Sequence, residues 1–493
     1  MANPRVKLDY QLFDHQKKGV EFILKNKGVG ALYWEIGCGK TLGLLETFRR
    51  LREQDQNLKL FVVCPLALIE GAWGEDVKKF TSYKYQNLHK AKKVEQADIY
   101  IVNYEGLLTK RISGFLNQLM SPHDQEWMIA LDESSKIKNH ETKITKALIN
   151  AKDAFKYRVV MSGTPAPNCE LEYWPQIAFL KDNVFHQRFY AFRAEYFAYG
   201  RGNQIMSNGF IPPSAAKELY SKGFKLVLHP SKKTVFMDRL KPLCHFVKKR
   251  DCLDLPPTVD QNRIVEMTDD QRRIYKEMER EAIAEIQNSD IVAQVALTKI
   301  MKLRQITSGF AIDTRGNSVS IPGTNPKLNE LNEILEEAGD QQVIIWAVFQ
   351  WDIERIAKEL GDKCCLLYGK TADKQLSIDQ FKSGEKQYLI AHPKSAGHGL
   401  TFVNCHLQIF YSLDYSWETY EQARGRTDRA GQTESTTYVH ILCENTIDEK
   451  ILHVLKGKKD HFELVRDYLS GRNTYKVTDH KLYAGSVADS VSI

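Results

Sequence analysis

At 493 residues the chain exceeds the length at which one hydrophobic core keeps growing, so two or three domains are expected. Hydrophobic residues at 43% and charged residues at 27% exclude a disordered or fibrous chain, and no apolar run reaches membrane-spanning length, so no membrane partner is expected. A net charge of +7, from 69 basic and 62 acidic side chains, is too modest to establish a polyanionic partner by itself.

Met1 to Tyr10 lacks the apolar stretch of a signal peptide, so the protein is expected to stay where it is made. Ala31 to Trp34 then reads as a strand running into Gly37-Cys38-Gly39-Lys40-Thr41, and a helix-period segment with Leu42, Leu45 and Phe48 on one face follows. Glycines at a strand-to-helix turn let backbone N–H groups face a phosphate, with the helix dipole in support. Gly37, Cys38, Gly39, Lys40 and Thr41 are therefore candidate nucleotide-binding residues. Lys40 would reach the β- and γ-phosphates, and Thr41 would offer its hydroxyl to Mg²⁺. Trp34 stands where the strict pattern has glycine, which leaves open a plain glycine-rich turn capping a helix.

Trp127 to Leu131 is an apolar run that ends abruptly in Asp132-Glu133, as a buried strand does when its tip enters a ligand crevice. Asp132 suits a magnesium ligand and Glu133 a residue that orients and deprotonates water. Both acids could equally open the next helix, where carboxylates are favoured.

Apolar runs alternate with helical stretches through two blocks. The first holds Ala31 to Trp34, Leu58 to Cys64, Ile99 to Tyr104, Trp127 to Leu131 and Tyr157 to Met161. The second holds Val343 to Phe349, Cys364 to Tyr368, Tyr388 to Ala391, Leu407 to Tyr411 and Thr437 to Leu442. This predicts an α/β protein with two doubly wound parallel sheets. The expected domains are 1–250, with a helical insertion from about 181; 251–326, a linker and helical region; 327–462; and a polar tail, 463–493. Leu255-Pro256-Pro257-Thr258 reads as an extended crossing. Nine cysteines without paired CxxC spacing read as buried reduced thiols. Lys232-Lys233, Lys248-Lys249-Arg250 and Lys456 to Lys459 are small basic clusters that solvent alone can account for.

In the second block, Gln422 to Gln432 places Arg426 and Arg429 three residues apart, one turn if the segment is helical. Guanidiniums suit the spread charge of a transferring phosphoryl group, and salt bridges on a surface helix are the plainer use.

With these motifs in this order, the chain resembles helicase superfamily 2, and within it the SWI/SNF-type DNA translocases, in a compact form similar to viral and bacterial branch-migration and annealing helicases. The likeness runs from about Leu12 to Leu455. It rests on Phe13-Asp14-His15-Gln16, the glycine loop, Val63-Cys64-Pro65-Leu66 with Trp73, Val102-Asn103-Tyr104-Glu105, Asp132-Glu133-Ser134-Ser135 with Lys138-Asn139, and Ser162-Gly163-Thr164-Pro165 with Asn168. It continues through Leu255-Pro256-Pro257, Leu303-Arg304-Gln305, Ser395 to Leu400, Tyr411-Ser412-Leu413-Asp414 and Gln422 to Gln432.

The resemblance implies two RecA-like lobes with helical insertions and a DNA-dependent ATPase using ATP and Mg²⁺. It implies that Gln16 reads adenine, that Lys40, Asp132, Glu133, Gln422, Arg426 and Arg429 are catalytic, and that Thr41 and Asp132 hold the metal. The residues it implies for DNA are Pro65, Leu66, Ala67, Tyr104, Glu105, Gly106, Ser162, Gly163, Thr164, Ser395, Ala396, Gly397, Gly399 and Leu400. It further implies duplex, forked or branched DNA as partner, a monomer on DNA, recombination or replication proteins as associates, and a cytoplasmic setting, nuclear in a eukaryote. Fork remodelling, branch migration, recombination and repair are the roles that follow from it. A strand-separating helicase, a restriction-type motor subunit and a non-catalytic DNA-binding scaffold stay open as alternatives. Two departures stand out: Ser135 replaces a frequent histidine, so a hydroxyl is expected to couple the acid motif to Ser162-Gly163-Thr164, and Trp34 replaces a small or acidic residue.

Overall fold

The computed structural model describes residues 10–457 apart from 122–124, 202–203, 207–210, 213–214, 217, 220–221, 223, 289–291, 397–399 and 430. The chain divides into two compact units at Asp254 and Leu255, each an α/β structure on its own parallel sheet.

The first unit carries β1 (Val29–Trp34), β2 (Lys59–Cys64), β3 (Tyr85–Asn87), β4 (Ile99–Asn103), β5 (Trp127–Asp132), β6 (Tyr157–Met161), the small antiparallel set β7 (Phe197–Arg201), β8 (Gln204–Ile205) and β9 (Lys225–Leu228), and finally β10 (Cys244–Val247). Seven of these form one sheet in the order β10-β1-β6-β5-β2-β4-β3, parallel throughout. Both faces are buried, and neighbouring residues of one strand enter different cores. Ala31 and Tyr33 pack with Phe61, Val63, Ile129 and Leu131, while Leu32 and Trp34 pack with Leu60, Val62, Met128 and Ala130. Period-two alternation between two covered faces is what a parallel sheet flanked by helices requires.

Trp34 explains itself in this packing. Its fully buried indole lies against Gly19 of helix Asp14–Lys25 and Gly43 of helix Lys40–Gln54, and its Nε1–H donates to His245 Nδ1 at 2.8 Å. A Cβ at Gly19 would come within 2.1 Å of the ring and one at Gly43 within 2.8 Å. Overlaps of that kind cost about 1–3 kcal/mol when a core is forced to repack. The large residue ahead of the glycine loop is thus housed by two glycines on adjoining helices.

The second unit carries β11 (Val259–Val265), the hairpin β12 (Phe310–Ile312) and β13 (Ser318–Ser320), then β14 (Val343–Trp346), β15 (Cys364–Leu367), β16 (Tyr388–Ala391), β17 (Leu407–Phe410) and β18 (Thr437–Cys443). Its six-stranded parallel sheet runs β11-β18-β17-β14-β16-β15. All ten strands read from the sequence are present, with ends shifted by three residues or fewer.

Two stretches differ from expectation. The segment after 181 is not purely helical, since it supplies β7–β9 and β10. The stretch 251–326, expected as linker and helices, supplies β11, paired with β18 from Val259↔Thr437 to Val265↔Cys443. Its exposed residues Asp260, Gln261 and Asn262 carry no apolar signal, and the pairing is made by backbone. Asp260 adds an anchor. The Arg424 guanidinium grips its carboxylate through two nitrogens and stacks 3.7 Å from the Tyr438 ring centre.

Candidate active site

Five motif loops leave the carboxyl ends of five adjacent strands of the first sheet: residues 35–39 after β1, 65–67 after β2, 104–106 after β4, 133–135 after β5 and 162–165 after β6. In open α/β sheets this edge is where ligands bind.

The loop after β1 turns through Gly37 (φ 93°) and Gly39 (φ 71°), left-handed conformations that side chains resist, and Gly39 caps helix Lys40–Gln54. Lys40 Nζ donates to the Trp34 carbonyl at 3.1 Å and sits 3.5 Å from that of Glu35. Gln16 is buried: its Oε1 accepts from the Phe13 N–H at 2.9 Å and its Nε2 donates to Gly39 O at 3.1 Å. It therefore both locks the start of its own helix and braces the glycine loop. A Cβ on Gly163 would meet Ile36 at 2.9 Å, so the loop after β6 lies directly against the loop after β1.

The acid loop is held from three sides. Trp73 Nε1–H donates to Asp132 Oδ2 at 2.9 Å, the Glu133 N–H donates to Asp132 Oδ1 at 3.0 Å, and the Tyr104 hydroxyl donates to Asp132 O at 2.8 Å. Trp73, quoted above only as a family marker, thus orients the carboxylate. Burial pushes the Asp132 carboxyl up, and the nearby Lys40 ammonium pulls it back. A buried carboxylate facing a lysine, in one unit with the Thr41 hydroxyl, is a hard-oxygen donor set that fits Mg²⁺. Glu133 sits at φ 51°, ψ 56°, a left-handed conformation rare outside glycine and frequent at functional positions.

Behind the acids lies a residue that the sequence reading missed. Gln176, fully buried on helix Tyr173–Leu180, accepts from Ser134 Oγ at 2.7 Å and from the Tyr33 hydroxyl at 3.1 Å. Its amide donates to Pro165 O at 2.7 Å and to Glu172 O at 2.9 Å. The amide thereby ties the acid loop to the Ser162-Gly163-Thr164-Pro165 loop. The hydroxyl in this link is that of Ser134. Gln176→Leu keeps the volume and takes the amide away from two hydroxyls and two carbonyls. Each orphan costs about 1–3 kcal/mol. We expect urea unfolding to show a loss of about 3 kcal/mol; a change below about 0.5 kcal/mol would remove Gln176 as a link.

Of the residues expected at DNA in this unit, Leu66, Ala67 and Glu105 are exposed, whereas Pro65, Tyr104, Gly106, Ser162, Gly163 and Thr164 are buried. The Tyr104 hydroxyl is committed to Asp132, and Ser162 Oγ accepts from the Thr164 N–H at 3.0 Å.

In the second unit, Ser395 and Ala396 lie on the short helix Pro393–Ala396 after β16, Leu400 is half-buried, and Gly397 and Gly399 fall outside the described residues. Helix Trp417–Arg424 carries Gln422, whose buried Nε2 has no hydrogen-bond partner among the described residues. That helix stops before the arginines, with Gly425 as its C-cap, so Arg426 and Arg429 do not share a helical turn. Arg426 is buried, donating from Nε to Gln422 O at 2.7 Å and from Nη1 to Leu400 O at 2.9 Å. Arg429 is half-buried, donating from Nε to Gly425 O at 2.7 Å and from Nη1 to Thr401 Oγ1 at 2.9 Å. Arg304, from Leu303-Arg304-Gln305, is buried and hydrogen-bonds the Leu413 carbonyl after β17.

Among known proteins, the SNF2-related domain matches residues 15–309 and the helicase conserved C-terminal domain matches residues 326–431. A protein designated p41 of Acyrthosiphon pisum secondary endosymbiont phage 1 is 25% identical over 86% of this chain and 91% of its own. An uncharacterized ATP-dependent helicase of Mycoplasma genitalium is 23% identical over 95% of this chain, which spans only 43% of that protein. Among solved structures, the Sulfolobus solfataricus SWI2/SNF2 ATPase core in complex with dsDNA covers 96% of each chain at 23% identity, with a TM-score of 0.42.

Proposed function

The chain belongs to the SNF2-related family and is an ATPase of the helicase type, and from that premise we propose that it is a motor that hydrolyses ATP to move along duplex or branched DNA. The observation that carries this reading is the convergence of five motif loops at one sheet edge, with the Lys40 ammonium acting on the buried Asp132 carboxyl.

In this reading the Gly37–Gly39 backbone and Lys40 bind phosphate, Gln16 faces the adenine, and Glu133 takes a proton from the attacking water. Thr41 and Asp132 would hold Mg²⁺, which when bound neutralises phosphate charge. Gln422, Arg426 and Arg429 are the proposed contribution of the second unit. Leu66, Ala67, Glu105, Ser395, Ala396 and Leu400, with the backbone of the buried motif loops, are the proposed DNA contacts. Small polar groups and amides at phosphate position a motor without reading sequence.

Movement along one strand of an intact duplex displaces a third strand or shifts a junction without melting the duplex ahead. We therefore expect duplex DNA to stimulate ATP turnover, and ATP to drive triplex displacement and fork or junction migration, with weak unwinding of a plain tailed duplex. Efficient unwinding of the tailed duplex, with failure on triplex and branched DNA, would favour the strand-separating alternative. Turnover absent on every DNA tested would favour the scaffold.

A further inference from the structure

Cys38 stands between the two left-handed glycines of the loop after β1, and its Sγ lies 3.8 Å from that of Cys252, 214 residues along the chain. Cys252 follows the short turn Lys249–Asp251 at the end of the first unit and is partly exposed, whereas Cys38 is buried. His15 completes the cluster. Its Nε2–H donates to the Cys38 carbonyl at 2.8 Å, and its imidazole neighbours Cys252.

The surroundings divide the two sulfurs into donor and acceptor. The hydrogen bond to Cys252 and burial push the Cys38 thiol well up. The hydrogen bond from Cys38 pulls Cys252 down to about 6 despite partial burial, with His15 helping. As a neutral thiol Cys252 can donate instead to the Lys248 carbonyl at 3.2 Å. At the other thiols, Cys364 included, burial is the largest influence and outweighs the lysines and backbone hydrogen bonds that act the other way. Burial pushes Cys169, Cys365, Cys405 and Cys443 up to about 12, and raises Cys64 and Cys244 as well. A thiolate is the reactive form of cysteine, so oxidant chemistry is directed to Cys252.

We propose that Cys38 and Cys252 form a redox-modification site at which a peroxide joins the two sulfurs and disables the phosphate-binding loop. The Cys252 thiolate attacks one oxygen of hydrogen peroxide, the O–O bond breaks, and hydroxide leaves, giving a sulfenic acid. The Cys38 sulfur then attacks the sulfenic sulfur. The S–O bond breaks, the departing oxygen takes the Cys38 proton and leaves as water, and the S–S bond forms. Two electrons pass from the sulfurs to the peroxide, and a dithiol reverses the change.

A disulfide spans about 2 Å, so the sulfurs must close from 3.8 Å and the loop must shift or strain toward residue 252. The loop is braced by His15 on the Cys38 carbonyl and by Gln16 on the Gly39 carbonyl. Drawing Cys38 aside therefore misaligns the N–H groups that would meet phosphate. The inference rests on reading residues 37–41 as the phosphate loop.

The test treats the full-length protein with one equivalent of hydrogen peroxide, maps peptides by mass spectrometry and follows ATP turnover. We expect a linked peptide joining Cys38 to Cys252, and turnover lowered more than about tenfold as the loop is pulled from its phosphate geometry. Dithiothreitol should restore it. Cys252→Ser should keep basal turnover and resist peroxide. The proposal is overturned if the folded wild-type protein gives no linked peptide, if wild type and C252S lose turnover equally, or if the link forms with turnover intact. Failure of the phosphate-loop reading shows separately, as wild-type turnover by reduced K40A.

Discussion

Lys40→Ala is expected to lower ATP turnover by roughly 10³-fold or more, while DNA binding and the thermal unfolding midpoint stay near those of the wild-type protein. The Lys40 amine is docked on the carbonyls of Trp34 and Glu35, at the open end of the glycine loop, and its charge acts on Asp132. Alanine removes the cation proposed to meet the β- and γ-phosphates. Little folding energy goes with it, because the side chain is half-buried and its loss gives up only its contacts with two backbone carbonyls. A steady-state ATPase assay with and without duplex DNA, paired with a DNA-binding titration, checks both halves. Turnover near wild type would end the phosphate-loop assignment, and lost DNA binding with turnover intact would move Lys40 to another surface.

What the sequence made legible was chiefly the part whose signal is local. Buried parallel strands announce themselves as short apolar runs, and β1, β2, β4, β5 and β6 were readable for that reason, as was the abrupt change to Asp132-Glu133 at the end of β5. Two edge strands, β3 and β11, gave no such signal. β3 has three residues and β11 has a polar centre, Asp260 to Arg263, so hydrophobic period could find neither. Gln176 was invisible for another reason. Its four partners, Tyr33, Ser134, Pro165 and Glu172, converge only after the sheet has formed, and a glutamine in an apolar helix has no motif. The Cys38–Cys252 approach shares that character. Whether the arginine pair shares a helical turn was left open, although a local signal bears on it: Gly425 directly after a helical run is a stop signal, and it ends the helix at Arg424.

That stop separates the roles of the two arginines. Arg426 is 2% exposed and ties the end of its helix to the Leu400 carbonyl, whereas Arg429 is half-buried and braced by Gly425 and Thr401. A planar guanidinium held at its base by two fixed acceptors is preorganised, so little entropy is lost when it meets a phosphoryl group. Arg429→Ala is accordingly expected to lower turnover by about 10³-fold, the lower range for loss of an arginine finger, with ATP affinity changed far less. Arg429→Lys should fail to restore the rate, because an ammonium cannot reproduce the planar fork. Arg426→Ala should act on folding first, lowering the unfolding midpoint through the unpaired Gln422 and Leu400 carbonyls. Nucleotide binding measured by fluorescence, beside turnover and thermal unfolding, separates the three variants. If Arg429→Ala turns over within twofold of wild type, Arg429 supplies no charge to the reaction and its assignment as a catalytic arginine fails.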